Sequence, residues 1–238
     1  MWDDFAEYMI DRATLGGLLY RRCTHRAMRR YIRAALPKAE ERSRDVAVQE
    51  AKWARTYQNS FRSRFYAEMR RRLDDLSYDS VLEHGCSIGL VLRRAAENAS
   101  ICIGIDSSFY AVSHASRSAR SNTEYIVADS LRHPLGEQKF DLVMALNILE
   151  IVEPADLLGV MVPQARHLMV LSDPYDYEGM NRKTRQQLDG KLLRDMIQGT
   201  GFLPVGDTMS EGYIPWSLTI NDRTKLTYRV DLVIAKRA

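Results

Sequence analysis

The chain has little cysteine. Its 238 residues include three, Cys23, Cys86 and Cys102, an odd number without the spacing of a metal cluster or a disulfide framework. That excludes a small stapled fold and suits a reducing compartment. Long apolar runs are also missing: nothing approaches the roughly 20 residues of a membrane span. The N-terminal MWDDFAEYM is acidic and aromatic, unlike the basic then apolar start of a secretory signal. Repeats and low-complexity segments are absent. The expectation is a cytoplasmic protein with no membrane partner and no metal.

What is present is ordinary in amount, at 45% hydrophobic and 27% charged, and uneven in distribution. Residues 1–77 carry 17 Lys and Arg against 11 Asp and Glu, whereas the remainder is slightly acidic. That basic segment has few β-branched residues and one proline, Pro37. It reads as helical, with breaks near Leu15-Gly16-Gly17 and Leu36-Pro37. Between Glu50 and Leu76, Trp53, Tyr57, Phe61, Phe65 and Met69 recur at helical spacing. An N-terminal helical extension or lid over 1–77 and a second domain over 78–238 are expected.

From Ser80 the period changes. Candidate strands at 80–83, 101–105, 124–128, 140–145 and 167–171 are separated by candidate helices at 88–98, 109–120 and 154–165. Strands spaced by helices predict an α/β fold with a doubly wound, mostly parallel sheet. A further helix is expected at 184–199. Strands near 213–220 and 226–236 then form a β-hairpin around residues 221–225.

The informative segment is Val81-Leu82-Glu83-His84-Gly85-Cys86-Ser87-Ile88-Gly89. A buried strand ends in a carboxylate and enters a glycine-spaced loop, where a ligand can approach backbone N–H groups. Asp106 follows 23 residues later and Asp129 another 23 after that, each ending a candidate strand. In an open parallel sheet, ligands bind beyond those strand ends. A carboxylate there can accept both hydroxyls of a ribose, the exocyclic amine of an adenine, or an ammonium. The G-x-G-x-x-G dinucleotide fingerprint is not met, because Ser87 and Leu90 stand where two glycines belong.

With Gly104-Ile105-Asp106, Ala128-Asp129-Ser130 and Phe140-Asp141-Leu142-Val143, the chain from about Tyr78 onward resembles the class I S-adenosylmethionine-dependent methyltransferases. The resemblance implies a seven-stranded Rossmann-like sheet whose antiparallel last strand comes from the C-terminal hairpin. It also implies S-adenosylmethionine as cofactor. Gly85, Ser87 and Gly89 would pass under its methionine part, with Glu83 and Cys86 beside them. Asp106 and Ser107 would meet the ribose, Asp129 and Ser130 the adenine. Ser87 departs from the family pattern, which has glycine there.

The acceptor is expected at the fourth-strand end, in Ala145-Leu146-Asn147-Ile148-Leu149-Glu150. Asn147 is expected to anchor the cofactor or the acceptor, and Glu150 to act as base or bind an amine. Tyr175, in the loop from Ser172 to Lys183, joins Trp53, Tyr57 and Tyr213 as candidate substrate contacts. Asn147-Ile-Leu-Glu150 with Pro174-Tyr175 resembles methyltransferases of imidazole nitrogens. The expected substrate is a small molecule or peptide side chain methylated at N, O or S. An RNA substrate held by the basic segment and a catalytically silent relative are the alternatives. RNA has no recognition motif in its support. His84 and His133 receive no catalytic role, and the oligomeric state is left open.

Overall fold

The computed structural model describes residues 52–177 and 184–238. Compact units divide between Arg55 and Thr56, and the second, Thr56–Ala238, holds every strand described below. Residues 52–60 are helical, and α1, Arg64–Asp74, follows after a short break. The division therefore falls earlier than the expected 77/78 boundary. The reason is packing: Phe65, Met69 and Leu73 bury one face of α1, which lies against β7, Ile214–Asn221. Phe61, expected on the same stripe, falls in the break and is exposed. The expected breaks near residues 15–17 and 36–37, with Cys23 and Glu178, lie outside the described residues.

The sheet is built from β1 Ser80–His84, β2 Ile101–Asp106, β3 Thr123–Val127, β4 Phe140–Leu146, β5 Ala165–Asp173, β6 Phe202–Pro204, β7 and β8 Thr224–Arg237. Seven strands run in the order 3-2-1-4-5-8-6, and β7 pairs with β8 off that path. β1 to β5 are parallel, and β8 enters antiparallel between β5 and β6. The doubly wound, mostly parallel sheet read from the sequence is thus present, with its antiparallel C-terminal strand. The strand that closes this order beyond β8 is Phe202–Pro204, however, and not the first hairpin strand. Three residues ending in proline carry no readable period.

Between the strands lie α2 Leu92–Ala95, α3 Phe109–Ser116, α4 Pro154–Gln164 and α5 Gly190–Gly199. α2 is much shorter than the expected 88–98, because the glycine loop and its turns occupy the residues before it. Caps explain several starts. Ser108 accepts from the Ala111 N–H, Asp189 accepts from the Leu192 N–H, and Pro154 supplies a fixed φ at the start of α4. Leu82, Ile105, Val143 and Leu171 share the main core with Leu158 of α4 and Ile197 of α5. Burial on both faces is why these strands read as nearly continuous apolar runs. No helix among the described residues is long and apolar enough to cross a membrane.

Candidate functional site

β1 has β2 on one side and β4 on the other, so the strand order reverses there. Parallel sheets open a crevice at such a point, beyond the carboxyl ends of the strands. The residues that reach it come from the loops after β1, β2, β3, β4 and β5.

The loop after β1 is held in left-handed backbone: Gly85, Ser87 and Gly89 have φ of 69°, 48° and 71°. A Cβ on Gly85 would stand 2.6 Å from Ile148 Cγ2, and one on Gly89 would stand 2.3 Å from the Tyr125 hydroxyl oxygen. The loop is therefore wedged between the β4 loop and β3. Asp106 ties it to the next strand: Oδ2 accepts the Ser87 N–H and Oδ1 the Ser108 N–H, both at 2.8 Å. Ser107, between them, is exposed. Cys86 turns inward. Its N–H donates to the Ile105 carbonyl at 2.9 Å, and its buried thiol is pushed well above the usual range. Its role is to anchor the loop rather than to line the crevice.

Glu83 lies under that loop, 3% exposed, and its Oε2 has no hydrogen-bond partner. Burial, aided by the nearby Asp106 charge, pushes its carboxyl up to about 8. An unmet buried acceptor asks for a donor, and a cationic one would also restore its charge. The α-ammonium of S-adenosylmethionine is such a group, so these residues fit the cofactor. Asp129 and Ser130 stand just past β3. Asp129 is exposed and accepts the Leu131 N–H at 2.9 Å, and Ser130 is buried.

The β4 and β5 loops are joined by carboxylates. Asp173, fully buried, accepts the N–H groups of Leu149 and Tyr175, each at 2.9 Å, and burial pushes it up to about 8. Glu150 accepts the Asp176 N–H at 2.8 Å, and burial raises its pKa. Asn147, at φ 56°, donates its N–H to the Ser172 carbonyl at 2.7 Å and accepts the Ser172 hydroxyl at 2.9 Å. Asn147 and Glu150 are thus each tied to β5 or the loop after it.

The four aromatic candidates separate. Tyr57 stacks on Trp216, with centroids 5.9 Å apart and planes 4° from parallel. Burial pushes its phenol up to about 12, with Asp106, Tyr228 and Glu150 adding to the effect. Tyr57 therefore lies within reach of both the β2 and the β4 ends. Tyr175, at φ 54°, is turned elsewhere: its hydroxyl donates to Asp231 at 2.8 Å. Tyr213 is exposed, its ring under Arg229 at 3.9 Å and its hydroxyl donating to Glu211 at 2.8 Å. Trp53, half-buried, belongs to the other compact unit.

Sequence reasoning selected neither Trp216 nor Tyr228 as a substrate contact. The two are register partners in the hairpin, with rings 5.6 Å apart, and burial raises the Tyr228 phenol with help from Asp176 and Glu150. An aromatic pair directly opposed across a hairpin was the available signal. Asp173 was missed as a loop tie because its role depends on backbone N–H groups.

Comparison with known proteins agrees with this geometry. Residues 81–169 match the family model described as a methyltransferase domain. No curated protein sequence matches the chain. Among solved structures, a magnesium protoporphyrin IX methyltransferase from Synechocystis PCC 6803 with bound SAH is similar. Its TM-score is 0.58 at 16% identity, over 79% of this chain and 93% of that one. A putative methyltransferase of Haloferax volcanii, in complex with the Trm112 activator, gives 0.62 at 14%, over 77% and 93%. The N-methyltransferase NodS of Bradyrhizobium japonicum WM9 gives 0.55 at 14%, over 74% and 98%. At such identities the structural likeness is one of fold, and the family match over β1 to β5 carries the rest. Residues 81–169 thus match a methyltransferase domain, on a fold shared with a methyltransferase seen with SAH and with SAM bound.

Proposed function

We propose that the protein methylates a small molecule or a peptide side chain, and that the acceptor is a flat nitrogen base of imidazole type. The observation that carries this reading is an aromatic run near Glu150, in which Tyr57 stacks on Trp216 and Trp216 meets Tyr228 at a tilt of 36°. Aromatic faces suit a planar or cationic group. A carboxylate next to them suits a ring N–H or an ammonium. The names of two structural neighbours, for magnesium protoporphyrin IX and for N-methyl transfer, support a small acceptor.

S-adenosylmethionine supplies a methyl already activated by a positive sulfur. What remains for the chain is binding, orientation and proton handling. Glu83 and the Gly85–Gly89 loop hold the methionine end. Asp106 with Ser107 binds the ribose, and Asp129 with Ser130 the adenine. Asn147 fixes the acceptor edge. Glu150, its carboxyl raised by burial, accepts a hydrogen bond from the second nitrogen of the acceptor and takes its proton as the product forms. Tyr57 and Trp216 exclude water from one face.

A cofactor-consumption screen across imidazoles, amines, phenols, thiols and total RNA tests this. Turnover is expected with imidazoles, and Glu150→Gln and Tyr57→Ala are expected to lose it while still binding S-adenosylhomocysteine. Turnover restricted to phenols, thiols or RNA overturns the acceptor assignment.

A further inference from the structure

A second polar cluster lies on the opposite face of β1 from Glu83. Gln164, the last residue of α4, is fully buried, and so is His84, the last residue of β1. The Gln164 amide nitrogen donates to the Gly136 carbonyl at 2.7 Å. A carbonyl only accepts, so the amide oxygen must face the other way. There it meets His84 Nε2 at 2.9 Å, which therefore carries the proton and donates. The amide nitrogen also points at His133 Nε2, 3.2 Å away, and the two imidazole rings lie 5.4 Å apart. One side chain thus joins β1, α4 and the loop between β3 and β4.

That loop is the one that carries Asp129 and Ser130. His133 sits in it with a donor at each nitrogen: the Gln164 amide at Nε2 and the Leu135 N–H at Nδ1, both 3.2 Å away. A neutral imidazole can accept from one of these, and an imidazolium from neither. Protonation of His133 therefore sets its N–H groups against the contacts that hold the loop. Around His133 stand His84 from β1, Gln164 from α4 and Asp129 from its own loop. Of these, Asp129 favours a proton on the ring, while burial opposes it more strongly.

We propose that Gln164 is a positioning residue for cofactor binding: it fixes the adenine-side loop to β1 and α4, and the neutral form of His133 is required for that hold. Acidification then weakens cofactor affinity by releasing the loop. This rests on the reading of Asp129 and Ser130 as adenine contacts.

Titration calorimetry with S-adenosylhomocysteine, with thermal unfolding recorded alongside, tests it. Gln164→Leu is expected to weaken binding by about tenfold, the scale of one or two lost hydrogen bonds. The wild type is expected to bind more weakly as pH falls from about 7 to about 5, across the histidine range. His133→Gln, whatever its affinity at about pH 8, is expected to bind with an acid slope shallower by about one proton than wild type. Any titration of Glu83 is common to both proteins and cancels in that difference. If Gln164→Leu unfolds cooperatively and binds within twofold of wild type, the positioning role is wrong. If Gln164→Leu does not fold, His133→Gln decides alone, and an unchanged acid slope overturns the proposal. Absence of S-adenosylhomocysteine binding by the wild type would instead overturn the cofactor reading on which it stands.

Discussion

The Ser87 N–H donates to Asp106 Oδ2 at 2.8 Å, so the residue expected to grip the ribose also holds the loop expected to carry the methionine. This bond needs Ser87 in left-handed backbone, at φ 48°, where a non-glycine residue pays roughly 1–2 kcal/mol. The bond to the carboxylate helps to hold Ser87 in that strained backbone.

Asp106→Ala should accordingly do two things. It removes two charge-assisted backbone bonds, a loss on the order of 1.5–3 kcal/mol each. S-adenosylhomocysteine affinity should fall at least tenfold by calorimetry, and the melting temperature should fall with it. Ser87→Gly should leave binding within a few-fold. If Asp106→Ala binds like wild type, the ribose assignment is wrong.

Glu83 should show an inverse relation between stability and binding. Its carboxyl is raised from the ordinary 4.5 to about 8, first by burial. The folded state holds this proton more tightly than the unfolded state. The stabilisation is complete below pH 4.5 and is lost as pH rises towards about 8, at most about 1.4 kcal/mol per pH unit. Glu83→Gln should therefore stabilise the cofactor-free protein at about pH 8 and weaken S-adenosylmethionine binding. Urea denaturation and calorimetry at that pH provide the check, and tighter binding by the glutamine variant would contradict it.

Arg194 and Asp231 form a buried bidentate pair at 2.7 and 3.0 Å, and Asp231 also accepts the Tyr175 hydroxyl. Removing only the cation leaves an unpaired buried charge. Arg194→Met should cost about 3–5 kcal/mol in urea unfolding. Arg194→Met with Asp231→Leu should recover part of that loss. A single variant as stable as wild type would show that the pair is solvated.

Gly89→Ala should damage the loop itself. Its φ of 71° and the 2.3 Å approach to the Tyr125 hydroxyl leave no room for a methyl group. Both the melting temperature and S-adenosylhomocysteine affinity should drop. Gly159→Ala, where a Cβ meets nothing, is the matched control.

The sheet was readable because buried parallel strands are apolar throughout and their loops announce themselves. Val81–Gly89, Gly104–Asp106 and Ala128–Asp129 each combine such a run with its turn chemistry. β6 was not readable, since Phe202–Pro204 is too short to have a period. At the site, Glu83 and Asp106 were legible as charges at apolar strand ends. The tie of Tyr175 to Asp231 was not, because it joins residues 56 apart with no local pattern. Gln164 was hidden for the same reason: a polar residue ending an apolar helix looks like a cap until His84 and Gly136 close around it.

β8 follows every other strand in the chain, yet it lies between β5 and β6 in the sheet. A growing polypeptide can assemble β1 to β5 early, but β6 has no neighbour until β8 arrives. Asp231, on β8, also supplies the partner of Arg194 and Tyr175. The strands at which the cofactor is expected are therefore synthesised before Tyr228, the ring proposed to face the acceptor, which arrives with the final segment. A nascent chain paused before Thr224 would hold every residue proposed for the cofactor and still lack Tyr228 and Asp231.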